Sequence, residues 1–312
     1  MKKILNRPAD YVDEMLEGLV AAHPGALRRL GDGGRVIARA GAPVPGKVGI
    51  VTGGGSGHLP VFLGYVGPGL LDACAVGNVF AGPRVADCQE AMKAADAGAG
   101  VLQLYGNYGG DRMNFEMARE LLELEGMEVA SVRVADDVAS APGAEREKRR
   151  GVAGMVYAFK VAGAKAAAGG SLAEVAKVAA KAASACRSIG VALTPCIIPE
   201  SGKASFQIAE DEVEFGMGIH GEPGIWRGKL RTADALADEM LERLLPECAL
   251  ARGDRVAVLV NSLGATPHEE LYILYRRIAQ VLAGKVVQPE MPQVGRYATS
   301  MEMAGASLTQ MP

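Results

Sequence analysis

The sequence predicts an α/β protein made of two α/β halves, each a mostly parallel or mixed sheet flanked by helices. Three observations lead there. The chain has 312 residues, about twice the length of an ordinary domain. Its composition is 49% hydrophobic but only 5% aromatic, so small aliphatic side chains must supply the interior. Short β-branched runs also alternate with segments of helical period, the βαβ rhythm of a largely parallel sheet.

The elements follow in order. Residues 8–23 place Val12, Met15, Leu16 and Leu19 on one face, with Pro24 beyond the end, which predicts an amphipathic helix. Residues 35–40 and 47–52 read as strands, the second running into the glycine loop Gly53-Gly54-Gly55-Ser56-Gly57-His58. A helix over 85–97, a strand over 101–105, a helix over 111–125 and a strand over 128–134 continue the alternation. Residues 151–190 predict two Ala-rich helices hinged at Gly169-Gly170, the second opened by a capping box of Ser171 and Glu174. That helical stretch divides the chain into domains 1–188 and 189–312. The second half predicts strands over 191–198, 205–208, 212–219 and 255–261, helices over 232–245 and 267–282, and strand-like pieces in 294–310 around Gly305.

Composition excludes several functions. Lys+Arg number 33 against 36 Asp+Glu, a net charge of −3, so the surplus needed to neutralise nucleic-acid phosphates is missing. Five cysteines without a CxxC pair suggest neither a zinc site nor a disulfide scaffold, and no metal site is expected. The uncharged run 48–71 is broken by glycines, Pro60 and Pro68 and contains His58, so it is no membrane helix. The polar N-terminus shows no export signal, and a cytoplasmic location fits the cysteine usage.

Three familiar motifs fail at His58. A P-loop needs Gly-Lys-Ser/Thr after the glycines, and a dinucleotide fingerprint or a nucleophile elbow needs glycine at position 58. What remains is a turn with backbone N–H groups open to a small oxygenated ligand and an imidazole at its end. Asp111 opens a helix after a glycine-rich loop. It serves as an N-cap and, ionised near the helix N-terminus, can also accept a hydroxyl proton.

In Gly218-Ile219-His220-Gly221-Glu222-Pro223-Gly224 a strand pattern ends in a histidine boxed by glycines and a proline. It reads either as a hydrogen-bonded turn residue or as a nucleophile that adds to a ketone carbon and forms a hemiaminal. Glu222 reads as a turn residue. Asn261–Pro267 reads as a structural strand-to-helix joint with Thr266 as N-cap, and residues 145–150 as a solvated charged face or a docking patch.

These stretches together resemble the substrate-binding subunit family of dihydroxyacetone kinases, DhaK. The resemblance rests on GGGSGH at 53–58, Asn107-Tyr108 with Gly110-Asp111 and Asn114-Phe115-Glu116, RRGV at 149–152, FGMGIHGEPGI at 215–225 and NSLGATP at 261–267. It runs from Lys2 to about Leu308, in family order. It implies a homodimeric subunit that tethers dihydroxyacetone or a similar short ketose to His220. Asp111 then matches the general base, His58 the second histidine that hydrogen-bonds the substrate, and Gly55, Ser56 and Gly57 the loop lining the pocket. The resemblance implies no cofactor on this chain. ATP or ADP with magnesium sits on a separate DhaL-like subunit, recharged in some systems by a phosphotransferase-system protein. Two positions depart from the family: Leu59, commonly acidic, and Gly106, commonly lysine. Loss of that lysine beside the substrate suggests a C4 ketose such as erythrulose as an alternative substrate. A non-catalytic ketone-binding regulator is a second alternative, and a hydrolase using Ser56 a third.

Overall fold

Most predicted hydrophobic runs find a sheet or a helix face in the computed structural model, which describes residues 2–312. Helices α1 (Tyr11–Ala22), α2 (Val85–Ala95) and α3 (Gly109–Leu124) alternate with strands β1 (Leu27–Leu30), β2 (Val36–Arg39), β3 (Gly49–Gly55), β4 (Ala73–Gly77), β5 (Val101–Gly106) and β6 (Val129–Val134). Helices α4 (Gly154–Ala167) and α5 (Leu172–Ala185) follow, then β7 (Arg187–Ala192), β8 (Glu212–Phe215) and β9 (Trp226–Lys229). The chain closes with α6 (Ala233–Cys248), β10 (Arg255–Ser262), α7 (His268–Gly284), β11 (Gln288–Gly295) and β12 (Gly305–Met311).

The chain forms two compact units that interleave in sequence. One comprises residues up to Val134 with Ala158–Ala182 and Ile198–Lys203; the other comprises Ala135–Tyr157, Ala183–Ile197 and Ala204–Pro312. A single cut at 188/189 therefore differs from the observed division, because residues 135–157 and 183–188 pack with the second unit. Local periodicity cannot report such a return of the chain.

The first unit holds a six-stranded sheet in the order β1-β2-β4-β3-β5-β6. Its β4-β3, β3-β5 and β5-β6 pairs are parallel, while β1-β2 and β2-β4 are antiparallel. One sheet face buries Val36, Val51, Ala75, Val101 and Tyr105 against Met92 of α2 and Phe115 and Leu122 of α3. The Tyr105 and Phe115 rings stack with centroids 4.5 Å apart. The second unit holds a sheet in the order β11-β10-β12-β7-β8-β9, antiparallel except for β10-β11. Ile189, Val213, Val258 and Leu308 pack there with Leu241 of α6 and Leu271 and Ile278 of α7.

Several elements differ from their sequence reading for visible reasons. Strand β7 starts at Arg187 and not at residue 191, because residues 187–192 pair antiparallel with β12. Residues 205–208 form no strand; their neighbour Ala204 makes only an isolated bridge to Ile197. Strand β11 contains Pro289 and Pro292, which hide it from propensity but are tolerated on a sheet edge. The capping box stands: the Ser171 N–H donates to Glu174 at 3.0 Å and the Glu174 N–H to the Ser171 hydroxyl at 3.4 Å. Thr266 does not cap α7. Pro267 holds that position, and the Thr266 hydroxyl exchanges hydrogen bonds of 2.7 Å with the Gly305 backbone.

Candidate active site

In the first unit the glycine run is not an open loop. Gly53, Gly54 and Gly55 are the last residues of β3 and pair with Ala75, Val76 and Gly77 of β4. Only Ser56–His58 turn, as one 3-10 turn, and the Ser56 N–H donates to the Asn78 carbonyl at 3.3 Å. The expected loop of N–H groups is thus strand backbone paired with β4 on one side, while pairing with β5 on the other side ends at Val51. The glycines serve close packing: a Cβ on Gly54 would lie 2.2 Å from the Phe62 ring, and one on Gly55 2.8 Å from the Phe80 nitrogen.

His58 is fully buried. Its ring stacks on Phe80 with centroids 4.9 Å apart and meets the edge of Phe62 at 6.1 Å. Both phenylalanines hold positive φ, 59° and 71°, a backbone cost that concentrates where a side chain must be aimed. The Ser56 hydroxyl is buried without a hydrogen-bond partner among the described residues.

Asp111 is the third residue of α3, with Tyr108 at the N-cap position, so its capping role is corrected to a first-turn role. That place in the first turn still sets it near the positive N-terminal end of the helix. Its oxygens lie 3.2 and 3.3 Å from where a Cβ on Gly82 would stand. Asn114, one turn on, donates to the Pro83 carbonyl at 2.8 Å. The segment from Asn78 to Pro83 therefore touches His58 through Phe80 and Asp111 through Gly82, and it borders a cavity of about 330 Å³ lined by Asp13, Arg35, Arg84 and Asp87. Sequence reasoning passed over this segment; its signal was Phe80 enclosed by Gly77 and Gly82-Pro83. Gly106 is buried at the end of β5, paired with Val134 of β6.

In the second unit His220 is half-buried on a turn closed by hydrogen bonds from the Gly218 N–H to the Glu222 carbonyl (3.1 Å) and from the Gly221 N–H to the Gly218 carbonyl (3.0 Å). Gly221 has φ of +86°, which explains one of the boxing glycines. Glu222 is more than a turn residue. One carboxylate oxygen accepts the His220 backbone N–H at 3.0 Å, and the other lies 3.0 Å from His220 Nδ1. Burial alone raises the Glu222 pKa, but the hydrogen bond and charge of His220, with Arg150 beyond, outweigh it and hold the carboxyl at about 2. Arg150 Nη1 lies 3.9 Å from that carboxylate, and the same guanidinium donates to Asp137 at 2.9 Å and to the Gly216 carbonyl at 3.1 Å. The charged segment at 145–150 is thereby divided. Arg150 faces His220's partner, whereas buried Arg149 donates to Glu247 at 2.8 and 3.1 Å.

His58 and Asp111 thus share the first unit and His220 belongs to the second. Among the described residues no three His, Cys, Asp or Glu side chains group to hold a metal ion, and no helix is long and apolar enough to cross a membrane.

Residues 17–312 match the Dak1 domain. The chain is 47% identical over 309 residues to a Listeria innocua protein described as the dihydroxyacetone-binding subunit DhaK of a PTS-dependent dihydroxyacetone kinase, covering 99% of this chain and 93% of that one. It is 42% identical over 311 residues to a D-erythrulose kinase of Mycolicibacterium smegmatis, covering all of this chain and 53% of that protein. Among solved structures it is similar to the dihydroxyacetone kinase operon co-activator Dha-DhaQ, with a TM-score of 0.89 and 33% identity over 96% of this chain and 91% of that one.

Proposed function

This chain belongs to the Dak1 domain family, and from that premise we propose that it is the substrate-binding, catalytic subunit of a dihydroxyacetone-type ketose kinase. The observation that carries the reading is the half-buried His220 clamped by an ionised Glu222 on a glycine-boxed turn, in a chain that retains Asp111. An imidazole so held adds to the ketone carbon, and the resulting hemiaminal separates ketones from plain polyols and fixes the sugar for transfer. Asp111 takes the proton of the terminal hydroxyl as that oxygen attacks phosphorus. His58 hydrogen-bonds the substrate, and Gly55, Ser56, Gly57 and Gly106 line its site. The phosphoryl group comes from nucleotide and magnesium on a DhaL-like partner, as ATP used directly or as ADP recharged through a phosphotransferase-system protein. The chain works as a cytoplasmic homodimer. Orientation and charge stabilisation, not covalent chemistry at phosphorus, are what such a subunit contributes.

The test is intact mass after incubation with dihydroxyacetone, together with a panel of C3 and C4 ketoses assayed with DhaL-like partners. Wild type and Asp111→Asn gain the full mass of the ketose, because hemiaminal formation is an addition that expels no water, and His220→Ala does not; Asp111→Asn transfers no phosphate. Equal turnover by all three proteins overturns both assignments. A second reading, a ketone-binding regulator, is favoured by the likeness to the co-activator Dha-DhaQ. Phosphorylation by the reconstituted pair removes it. Preference for erythrulose in the panel selects the C4 reading, for which the absence of a side chain at Gly106 leaves room.

A further inference from the structure

We propose that Glu222, braced by Arg150, is a positioning residue that sets the tautomer of His220, placing the ring proton on Nδ1 and the nucleophilic lone pair on Nε2. The inference rests on the reading of His220 as the ketose tether. An ionised carboxylate can only accept hydrogen bonds, so the 3.0 Å approach of Glu222 to Nδ1 requires the proton to be on Nδ1. The second carboxylate oxygen accepts the His220 backbone N–H at 3.0 Å, so one side chain fixes the ring against its own main chain. Arg150 holds the carboxylate from the other side, and Asp137 and the Gly216 carbonyl fix Arg150. Gly218 completes the arrangement. A Cβ there would sit 2.1 Å from the Glu222 carboxylate and 2.5 Å from Arg150 Nη1, so the pair occupies the space that any other residue would fill.

The chemistry balances around this arrangement. The Nε2 lone pair forms the bond to the ketone carbon while the C=O π pair moves onto oxygen, which takes up a proton. The ring, now alkylated at Nε2 and still protonated at Nδ1, carries one positive charge facing the Glu222 carboxylate. Release of the Nδ1 proton then leaves the neutral hemiaminal. The carboxylate stabilises the cationic adduct, while it still carries the Nδ1 proton, more than the free imidazole, because a charge-assisted hydrogen bond is roughly twice as strong as a neutral one.

The experiment uses full-length chain labelled with ¹⁵N-histidine, comparing wild type, Glu222→Gln and Gly218→Ala. The last variant displaces the carboxylate without removing an ionisable group. Wild type is expected to show a pyrrole-type Nδ1 and a pyridine-type Nε2 at His220. In both variants that preference is lost and dihydroxyacetone adduct formation weakens about 10- to 100-fold, the range for removing a hydrogen bond to a charged group. An unchanged tautomer and unchanged adduct affinity in both folded variants overturn the proposal. A wild type that forms no adduct overturns the tether reading instead, and the nitrogen spectra then still decide for or against Glu222 as the group that sets the tautomer.

Discussion

Replacing Gly55 by alanine tests whether the glycine run exists for close approach or for backbone freedom. Gly55 has φ −67° and ψ 141°, which any residue adopts, so conformation imposes no penalty. Space does. The new Cβ would lie 2.8 Å from the Phe80 nitrogen, 2.9 Å from its Cα and 3.0 Å from the Ala81 nitrogen, all backbone atoms that cannot swing aside. Overpacking of this kind costs about 1–3 kcal/mol, against which the lower entropy of the unfolded alanine chain returns about 0.4–1 kcal/mol. A net loss of about 1–2 kcal/mol lowers Tm by about 1.5–3 °C for a chain of this size. The strain falls on Phe80, whose ring stacks on His58 at 4.9 Å, so ketose phosphorylation with a DhaL-like partner should drop further than the loss of folded protein explains. Gly110→Ala is the control: it lies in α3 with nothing within 4 Å of its Cβ position. It should leave Tm unchanged or raise it, by up to about 1 kcal/mol of helix propensity. A Gly55→Ala protein that melts at or above wild type refutes the close-approach argument. Equal damage from Gly110→Ala refutes its assignment to the Phe80 contact.

Glu247 should matter to stability in a pH-dependent way. Arg149, buried to 1% exposure, and Arg146 and Arg187 all face it, and the hydrogen bond from Arg149 holds its carboxyl below the ordinary 4.5 despite partial burial. Glu247→Ala is expected to cost about 3 kcal/mol at pH 7, because it strips a buried cation of its counter-charge. A depressed carboxyl contributes stability above the unfolded pKa and loses it as pH falls through the folded one, so the wild-type advantage in urea melts should shrink below about pH 4.5. Asp137 has the opposite sign. Burial pushes it up to about 6, only partly offset by Arg150, so the native chain binds more protons than the unfolded one between about pH 4 and 6. Its contribution therefore falls as pH rises through that window, and a urea series on Asp137→Asn should lack that decline. A decline that persists in Asp137→Asn assigns it to another group.

What was legible in the sequence was local. The 3.6 period of residues 8–23 and 111–125, the Ser171/Glu174 capping box and the β-branched runs at 47–52 and 255–261 identify elements through interactions between near neighbours in the chain. So do His220 and Asp111, because a histidine between glycines and an acid in a helix's first turn are local patterns. What the chain read alone did not reveal depends on partners far apart in sequence. Strand β4 and the Asn78 to Pro83 segment carry no periodic signal, yet that segment touches both His58 and Asp111. Strand β11, with two prolines, is a strand only because β10 offers it an edge. Glu222 looked like a turn residue because its work requires Arg150, some seventy positions earlier, to face its carboxylate. The sequence by itself determined the α/β class, most helices and the candidates for the reactive groups, since hydrophobic period and side-chain chemistry act within one element. Only the tertiary structure decided where the chain returns to build the second unit and which groups stand beside His58 and around the His220–Glu222 pair, since Coulomb attraction and close packing depend on distance in space and not on separation along the chain.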